Sequence, residues 1–331
     1  MLKRVFKKHV VKYPTNQGFT LIEILISMVM AGIIISGLMF LVVDLLRTDQ
    51  RELTLERTQQ DMKRALDYIA DDVREAIYVY DDPTSLVAAL KITASSLPTD
   101  ARPVMAFWKV KPLDANADDY SKLSTPGTAA CNGLAATPLA NCRALLIRHG
   151  YYELVIYYST DLNDPDWEGK ARVYRYSVPE YSTAALTDGN SATLLVSSIF
   201  VEDSSKTPPQ GGTPSPSWVP NESGAGTLRG DVLVDFVADL AATPAPPACE
   251  VGYTQIPTTT TGATASNSFY ACIRPSDEAN NLLNQDVSIY LRGDADPKDS
   301  SLVLGGVSGN SELPTLQTRV LTRGVVNKDL P

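Results

Sequence analysis

Histidine is nearly absent from this chain of 331 residues, which contains only His9 and His149. His149 alone cannot form a metal site, and we interpret it as a structural residue beside a tyrosine-rich segment. The sequence also lacks a G-x-S-x-G nucleophile elbow, a phosphate-binding glycine loop and an H-E-x-x-H helix. We therefore expect neither an enzyme nor a cofactor.

Acidic residues are absent from the first 18 positions, which carry five basic residues. The rest of the chain has 24 basic against 38 acidic residues, a net charge of −14. A body this acidic repels phosphate backbones, which excludes nucleic-acid binding through a broad basic face. The hydrophobic content of 44% is enough for a core in one large domain or two modest ones.

Closely paired cysteines, as in zinc sites, are also missing. The four cysteines are separated by 11, 107 and 23 residues, at Cys131, Cys142, Cys249 and Cys272. In an exported protein two disulfide bonds are the natural interpretation. We predict that sequence neighbours pair, Cys131 with Cys142 and Cys249 with Cys272. The other connectivities and buried free thiols stay open.

A long apolar run stands near the N-terminus. No charged residue occurs between Glu23 and Asp44, and 20 helical residues rise about 30 Å, the thickness of the hydrocarbon of a bilayer. The basic cluster before the run predicts a cytoplasmic N-terminus and export of everything after Asp44. The run is longer than a secretory signal core and no small-x-small site follows it, so we predict a single-pass anchor.

Glu23 stands almost at the start of this run. An ionised carboxylate in hydrocarbon costs roughly 3 kcal/mol on insertion scales, and such residues are usually paired and functional. No cation lies within helical reach inside the run. We therefore expect the partner of Glu23 to come from another molecule. The alternative is that Glu23 sits at the membrane interface and reaches water.

The stretch "GFTLIEILISMVMAGIIISG" resembles the N-terminus of type IV prepilins and pseudopilins. The shared features are a short basic leader ending in Gly18, then Phe19, with a glutamate at the fifth mature position, Glu23. The resemblance implies cleavage between Gly18 and Phe19 by a prepilin peptidase, which also methylates the new amine. It further implies that Glu23 pairs with the N-terminal amine of a neighbouring subunit. One departure is Phe40, where many major pilins have a helix-kinking proline.

This resemblance also implies partners and a location. The partners are other pilins or pseudopilins, bound through the N-terminal helix, the prepilin peptidase and an inner-membrane assembly platform. The expected location is the inner membrane, with a cytoplasmic N-terminus and a periplasmic head. After assembly, the subunit lies in a periplasmic or extracellular fibre.

A second stretch, "RALDYIADDVREAIYVYDD", resembles larger pseudopilins and minor pilins of the secretion J and pilus W type. More narrowly, it resembles the pseudopilins of hormogonium polysaccharide secretion, which implies a role in polysaccharide export and gliding motility. The alternatives are a type II secretion J-type pseudopilin, a minor pilin of a retractile pilus, and a signal-anchored exported adhesin or enzyme.

The chain beyond Asp44 predicts a second helical part and a β-rich head. An apolar stripe at steps of three and four indicates an amphipathic helix that stops at Pro83, with the stripe at Met62, Leu66, Ile69, Val73 and Ile77. Candidate strands follow at 103–110, 144–148, 153–159, 171–177, 193–201, 231–240, 287–293 and 316–326. Surface loops are expected at 204–227 and 254–268.

The predicted fold class is therefore α+β. A long N-terminal helix, transmembrane in its first half, packs on an antiparallel β-sheet head with long loops, and the other face of the sheet meets water. The expected divisions are a cleaved leader (1–18), a transmembrane and assembly helix (19–46), an amphipathic stalk helix (47–82) and an exported head (83–331).

Two further clusters have competing interpretations. The acid-rich turn with Asp161, Asn163 and Asp166 could chelate calcium, but it lacks EF-hand spacing, and a solvated hairpin turn explains it as well. Tyrosines are dense between 151 and 181. They could stack on the sugar rings of a polysaccharide, and cross-strand aromatic pairing explains them equally.

Overall fold

The structure is a computed structural model that describes residues 18–84, 86, 101–112, 147, 150–162, 165–180, 200, 230–241, 246–258, 266–275, 284–296 and 313–323. The chain forms two compact units, Met1–Leu53 and Thr54–Pro331. In its described part, the first unit is the N-terminal portion of helix α1 (Leu21–Arg74). The second unit holds the rest of α1 and the described strands. The α+β class predicted from the sequence is confirmed.

The described strands form two antiparallel sheets. The first sheet has the order β1 (Ala76–Val79), β2 (Arg102–Pro112), β3 (Gly150–Thr160), β4 (Ala171–Pro179) and β5 (Gly230–Val237). The second has the order β6 (Thr254–Ile256), β7 (Phe269–Arg274), β8 (Asp286–Leu291) and β9 (Leu316–Leu321). In both sheets, neighbours in space are neighbours in sequence among the strands described.

Helix α1 ends earlier than predicted. Its last residue is Arg74, and the segment expected to continue the helix to about residue 80 forms strand β1 instead. Ile77, Tyr78 and Val79 are β-branched or aromatic, and pairing with β2 favours the extended form. The division 47–82 for an amphipathic helix was therefore too long.

Most strand predictions are confirmed. Six of the predicted segments overlap β2, β3, β4, β5, β8 and β9. Three strands were missed: β1, which was predicted to be helical, β7, and β6, which lies in a segment predicted to be a loop. The predicted strands at 144–148 and 193–201 and the predicted loop at 204–227 lie almost entirely outside the described residues.

The main core lies between the second part of α1 and both sheets. The helix contributes the predicted stripe, with Met62, Leu66, Ile69 and Val73 buried. The first sheet contributes residues such as Phe107 and Val155, and the second sheet contributes residues such as Ile289. One helix face therefore buries the inner faces of two sheets, which explains its spacing of apolar residues.

The opposite face of the first sheet is also buried, contrary to the prediction that it meets water. Trp108, Ile156 and Tyr158 lie in a second apolar cluster, and Tyr80 and Phe200 cover them. The indole N–H of Trp108 donates to the Tyr80 hydroxyl at 2.6 Å. Because chain segments outside the strands cover this face, strand alternation alone did not reveal its burial.

Buried Gln285 joins the two sheets. Its side-chain Nε2 donates to the carbonyl of Val79 at 2.6 Å, and its Oε1 accepts from the amide of Val79 at 2.7 Å. The side chain thus pairs with the edge of β1 as a neighbouring strand would. At the opposite edge of the first sheet, the end of β5 is joined to the chain that follows β8. Val237 forms a β-bridge with Gly293, and the amide of Ala238 donates to the carbonyl of Arg292.

A buried carboxylate near the C-terminal end of α1 fixes the helix on the first sheet. Asp72 is only 7% exposed. Its Oδ1 accepts from Lys109 Nζ of β2 at 2.6 Å. Its Oδ2 accepts from Arg175 Nε of β4 and from the Tyr157 hydroxyl of β3, both at 2.7 Å. Three strands therefore meet at one helical side chain.

Two opposing effects act on the pKa of Asp72. Burial raises this pKa, but the hydrogen bonds from Arg175, Lys109 and Tyr157 outweigh the effect of burial and hold the pKa below its ordinary value of 3.8. Folding therefore favours the ionised carboxylate, and its contribution to stability is present above pH 3.8 and lost as the pH falls through the lower folded value.

We expect Asp72→Asn to lower the free energy of unfolding by about 3 kcal/mol, because it removes the buried carboxylate that bonds both Arg175 and Lys109 and leaves them only the longer contacts with Glu153, at 3.6 Å, and Glu75, at 3.3 Å. The neighbouring exposed Asp71, which pairs with Arg74, provides the matched control Asp71→Asn. Denaturant unfolding of both variants checks the prediction. The difference in unfolding free energy between the wild type and Asp72→Asn should become smaller below about pH 4. Equal unfolding midpoints for the two variants at neutral pH would contradict it.

The second sheet has its own buried carboxylate. Asp286 of β8 accepts from Arg319 Nε of β9 at 3.0 Å and from the Tyr253 hydroxyl at 2.7 Å. Burial raises the pKa of Asp286, but the hydrogen bonds from Arg319 and Tyr253 outweigh this effect. The pKa of Asp286 therefore lies below its ordinary value. This contact holds the turn before β6 against β8 and β9.

The disulfide bond predicted between Cys249 and Cys272 is present. It joins the segment before β6 to strand β7, and the two residues are 23 positions apart. Cys131 and Cys142 lie outside the described residues, so their pairing stays a prediction.

Removing this disulfide by Cys249→Ala with Cys272→Ala should cost about 3 kcal/mol of unfolding free energy, the loop-closure value for a loop of this length. Denaturant unfolding under oxidising conditions gives the measurement. In reductant, the difference between the variant and the wild type should disappear. An unchanged midpoint under oxidising conditions would show that the bond does not stabilise the head.

Candidate functional site

The candidate processing and assembly site lies at the start of α1. Gly18 and Phe19 precede the helix and are exposed. The helix begins at Leu21, and the carbonyl of Thr20 accepts from the amides of Glu23 and Ile24 at 3.0 and 3.2 Å. The bond between Gly18 and Phe19 therefore lies outside the helix, where a peptidase can reach it without unwinding α1.

Glu23 lies in the first turn of α1 and is exposed. A carboxylate in this position is favoured by the partial positive charge of the helix N-terminus. No lysine or arginine occurs between Gly18 and Leu46. Helical neighbours therefore offer no side-chain cation, and a newly freed amine at Phe19 would be the nearest positive charge in the mature sequence.

The helix from Leu21 to Leu46 is long and apolar enough to cross a membrane, and its most apolar window is exposed throughout. Its hydroxyl groups bond within the helix: Ser27 Oγ donates to the carbonyl of Ile24, and Ser36 Oγ to that of Gly32, both at 2.8 Å. The hydroxyls thus need no water, as a hydrocarbon environment requires. The helix also runs without interruption through Phe40.

The calcium interpretation gains little from the structure. Asp161 accepts from Arg102 Nη2 at 2.7 Å, Asp166 is exposed in a turn, and Asn163 lies outside the described residues. Within the described ranges, no group of three or more histidine, cysteine, aspartate or glutamate residues could hold a metal ion. His149 is also outside these ranges.

Most of the described strand tyrosines are buried on one face or the other of the first sheet, and Tyr152 and Tyr174 are half-buried. Tyr157, Tyr158 and Tyr176 are almost fully buried. Tyr158 and Tyr174 are register partners on β3 and β4, and their rings stack with centroids 5.1 Å apart. This geometry supports cross-strand aromatic pairing as the reason for their density. Tyr181 lies outside the described residues.

Comparison with protein-family models matches residues 14–39 to the prokaryotic N-terminal methylation motif. No match was found among curated proteins or among solved structures. This motif is typical of type IV pilin-like and pseudopilin precursors, and it implies processing by a prepilin peptidase and assembly with other pilins. It points to a structural subunit. The motif and the apolar helix together indicate a membrane-anchored, single-pass protein.

Sequence reasoning missed the residues that build the head. Asp72 was not distinguished from its neighbour Asp71, although it lies three residues after Ile69 and so borders the buried stripe. Trp167 was assigned only to an acidic turn. Its position beside residues of α1 and β5, with which it lines an open groove, arises between residues far apart in sequence, for which the sequence offers no local signal.

Gly18→Val should block processing, because a branched side chain next to the scissile bond obstructs the peptidase. The fold should be unaffected, since a Cβ at Gly18 would meet no atom within 4 Å. Gly37→Ala is the matched control, because its Cβ is equally unobstructed. Mass spectrometry of the native N-terminus should find methylated Phe19 in the wild type and in Gly37→Ala, and Met1 in Gly18→Val. A chain that starts at Phe19 in Gly18→Val would contradict this assignment.

Proposed function

We propose that the chain is a non-catalytic pseudopilin or minor pilin subunit of a type IV pilus-like machine. The observation that carries this proposal is the methylation motif at residues 14–39, followed directly by an exposed apolar helix. The described β-rich unit supports it, because a long helix that packs its second part on an antiparallel sheet is the architecture that the resemblance implies.

The subunit enters the inner membrane with its basic leader in the cytoplasm and its acidic head in the periplasm. Cleavage after Gly18 removes five basic residues and frees the amine of Phe19. The assembly platform then extracts the helix into a fibre. In the fibre, neighbouring helices replace lipid around the exposed apolar side chains.

Glu23 sets the axial register between neighbouring subunits in the fibre. A carboxylate and an ammonium group are each costly when buried alone in a dry helical bundle, and they offset one another when packed together. The Phe19 amine of one subunit therefore meets Glu23 of its neighbour at one particular axial shift. Neighbouring subunits at other shifts leave both charges unpaired.

The fibre serves polysaccharide export and gliding motility in this proposal. The support is the resemblance of residues 64–82 to the pseudopilins of hormogonium polysaccharide secretion. Gene neighbourhood distinguishes this role from type II secretion, because adjacent glycosyltransferase and pseudopilin genes favour the polysaccharide.

Glu23→Ala should leave membrane insertion intact and abolish incorporation into fibres. The apolar run becomes more hydrophobic, so insertion has no reason to fail, whereas the partner amine loses its counter-charge. Glu52→Ala is the matched control, because Glu52 is exposed on the same helix outside the apolar run. Carbonate extraction of membranes measures insertion, and the amount of subunit in sheared fibre fractions measures incorporation.

Glu23→Gln separates charge from side-chain size in the same assay. It keeps the shape of the side chain and should fail like Glu23→Ala. Normal amounts of either variant in the fibre fraction would contradict the pairing of Glu23 with an amine. Equal loss in Glu52→Ala would show that the assay reports a general defect of the helix.

A further inference from the structure

An open groove lies in the second unit between α1, the turn before β4 and the end of β5. Its volume is about 550 Å³, within the range of ligand sites in proteins. Three aromatic side chains line it, Tyr68, Trp167 and Phe236, together with Leu233. We call it the aromatic groove. Tyr68 is 48% exposed and the other three side chains are half-buried, so apolar rings stay in contact with water, as at surfaces that bind a partner.

The turn that carries Trp167 is held against β5. Asp235 of β5 accepts at its Oδ2 from the amides of Glu168 and Gly169, at 3.2 and 3.0 Å. These amides directly follow Trp167. A Cβ on Gly169 would lie 2.7 Å from the Cα of Phe236, so only glycine lets the turn approach β5 this closely. The indole ring is therefore presented on a preorganised turn.

The rings of Tyr68 and Phe236 are also fixed by the fold. The guanidinium of Arg175 lies over the Tyr68 ring, 6.0 Å from its centroid, and Asp72 holds this guanidinium at 2.7 Å. Phe236 has a φ of 58°, a left-handed conformation that bulky residues rarely adopt, at a point where the pairing of β4 with β5 shifts register. Rings that are already ordered lose little conformational freedom when a ligand stacks on them.

The charged groups that line the aromatic groove are already engaged. Asp61 and Arg64 pair with one another at 3.5 Å. Asp235 accepts two amides at its Oδ2, and its Oδ1 is buried. A charged ligand would therefore find no free counter-ion among these residues, and a neutral ligand is favoured.

Polar groups at the edges of the aromatic groove remain available. Within the described ranges, neither the Tyr68 hydroxyl nor the Trp167 indole N–H has a hydrogen-bond partner. The side chains of Asp61 and Arg64 are 58% and 77% exposed, so they can accept and donate further bonds. The groove thus combines flat apolar faces with hydrogen-bonding groups beside them.

A sugar ring has the matching chemistry. The C–H bonds on the face of a pyranose are slightly positive and stack on the negative face of an aromatic ring, while its hydroxyls bond polar groups at the edge. Hexopyranoses with equatorial hydroxyls suit this arrangement best, since they present C–H bonds on both faces. Apolar peptide anchors bind instead in pockets that are fully desolvated. Half-exposed rings in an open groove are wetter than that, and sugars tolerate such sites because water can bridge their hydroxyls.

We infer that the aromatic groove binds a neutral polysaccharide of hexopyranose units with equatorial hydroxyls. An open groove admits a polymer, whereas an enclosed pocket holds only a small molecule. The inference rests on the proposed role in polysaccharide export and deepens it, because it names the class of sugar and the surface of the subunit that contacts it. That surface is distinct from the strand tyrosines, which pack against one another.

Isothermal titration calorimetry tests this inference with the purified full chain in micelles of a detergent without a sugar headgroup. The probe is a hexasaccharide of β-linked glucose, and saturable binding is expected. Trp167→Ala should weaken binding by about tenfold or more, as hot-spot aromatics do, and Trp167→Phe should keep most of the affinity because a ring remains. Tyr68→Phe should weaken binding by about fivefold, the share of one hydrogen bond. Leu321→Ala removes an exposed apolar side chain of β9 and is the control that should bind normally.

The charge of the sugar gives a second test. A hexasaccharide of glucuronate should bind more weakly than the glucose hexasaccharide by about tenfold or more. Trp167→Phe and Tyr68→Phe keep most of the packing, so the test holds even if Trp167→Ala unfolds the turn.

Three results would overturn the inference: no saturable binding of the glucose hexasaccharide, equal binding by the wild type and Trp167→Ala, or equal binding of the acidic sugar. Binding of a proline-rich peptide that Trp167→Ala abolishes, without sugar binding, would also overturn it and assign the groove to a protein partner. The measurement needs neither processing at Phe19 nor assembly through Glu23. Failure here therefore leaves the function as a fibre subunit intact, and a failure of fibre incorporation would leave sugar binding intact.

Discussion

The carboxylate of Asp72 is the contact on which the head depends. Apolar packing of the helix stripe is strong but non-directional, and a helix can rotate or slide by a turn at modest cost in buried area. Charged hydrogen bonds from Lys109, Tyr157 and Arg175 allow only one arrangement. They join the helix to three adjacent strands at once. The pairing thus determines which helix face the sheet covers, in addition to its share of the stability.

The same helix satisfies two environments in succession. Between Glu23 and Asp44 no side chain is charged and most are apolar on all sides, and the serines bond to their own backbone. From Thr54 onward only one stripe is apolar, and it is buried between two sheets. A continuous helix is the one regular structure that suits both settings, because its backbone hydrogen bonds are internal. The change of side-chain pattern, rather than a break in the backbone, separates the two parts.

Local patterns predicted the parts of this molecule that depend on local physics. The apolar run, the position of Glu23 and the stripe from Met62 to Val73 need only composition and spacing. The predicted end of the helix was wrong because Ile77 fits both the helical period and the residue preference of strands. Pairing of β1 with β2 favours the strand. Strand β6 was missed since it has three residues in a threonine-rich segment and gains its structure from β7.

Other features could not be predicted because they arise between distant residues. The apolar stripe places Asp72 at its border, but the partners of Asp72 on three strands, Lys109, Tyr157 and Arg175, come together only in the folded sheet. The outer face of the first sheet looked half-polar by alternation, but other segments of the chain bury it. The aromatic groove beside α1, lined by Tyr68, Trp167 and Phe236, joins residues from Asp61 to Phe236, which are 175 positions apart in sequence. Its strained backbone at Phe236 has no signature in the sequence.

One short connection has a mechanical consequence. Only Glu75 separates the end of α1 from the start of β1, and β1 is an edge strand held by β2 on one side and by Gln285 near its end. Tension carried by the helix therefore reaches the sheet without a slack linker to absorb it. The ion pairs of Asp72 lie just before this connection and join the helix to the sheet, so they share this load with the packed stripe. A pull along the helix would thus be divided among these charged contacts, the packed stripe and the ladder between β1 and β2.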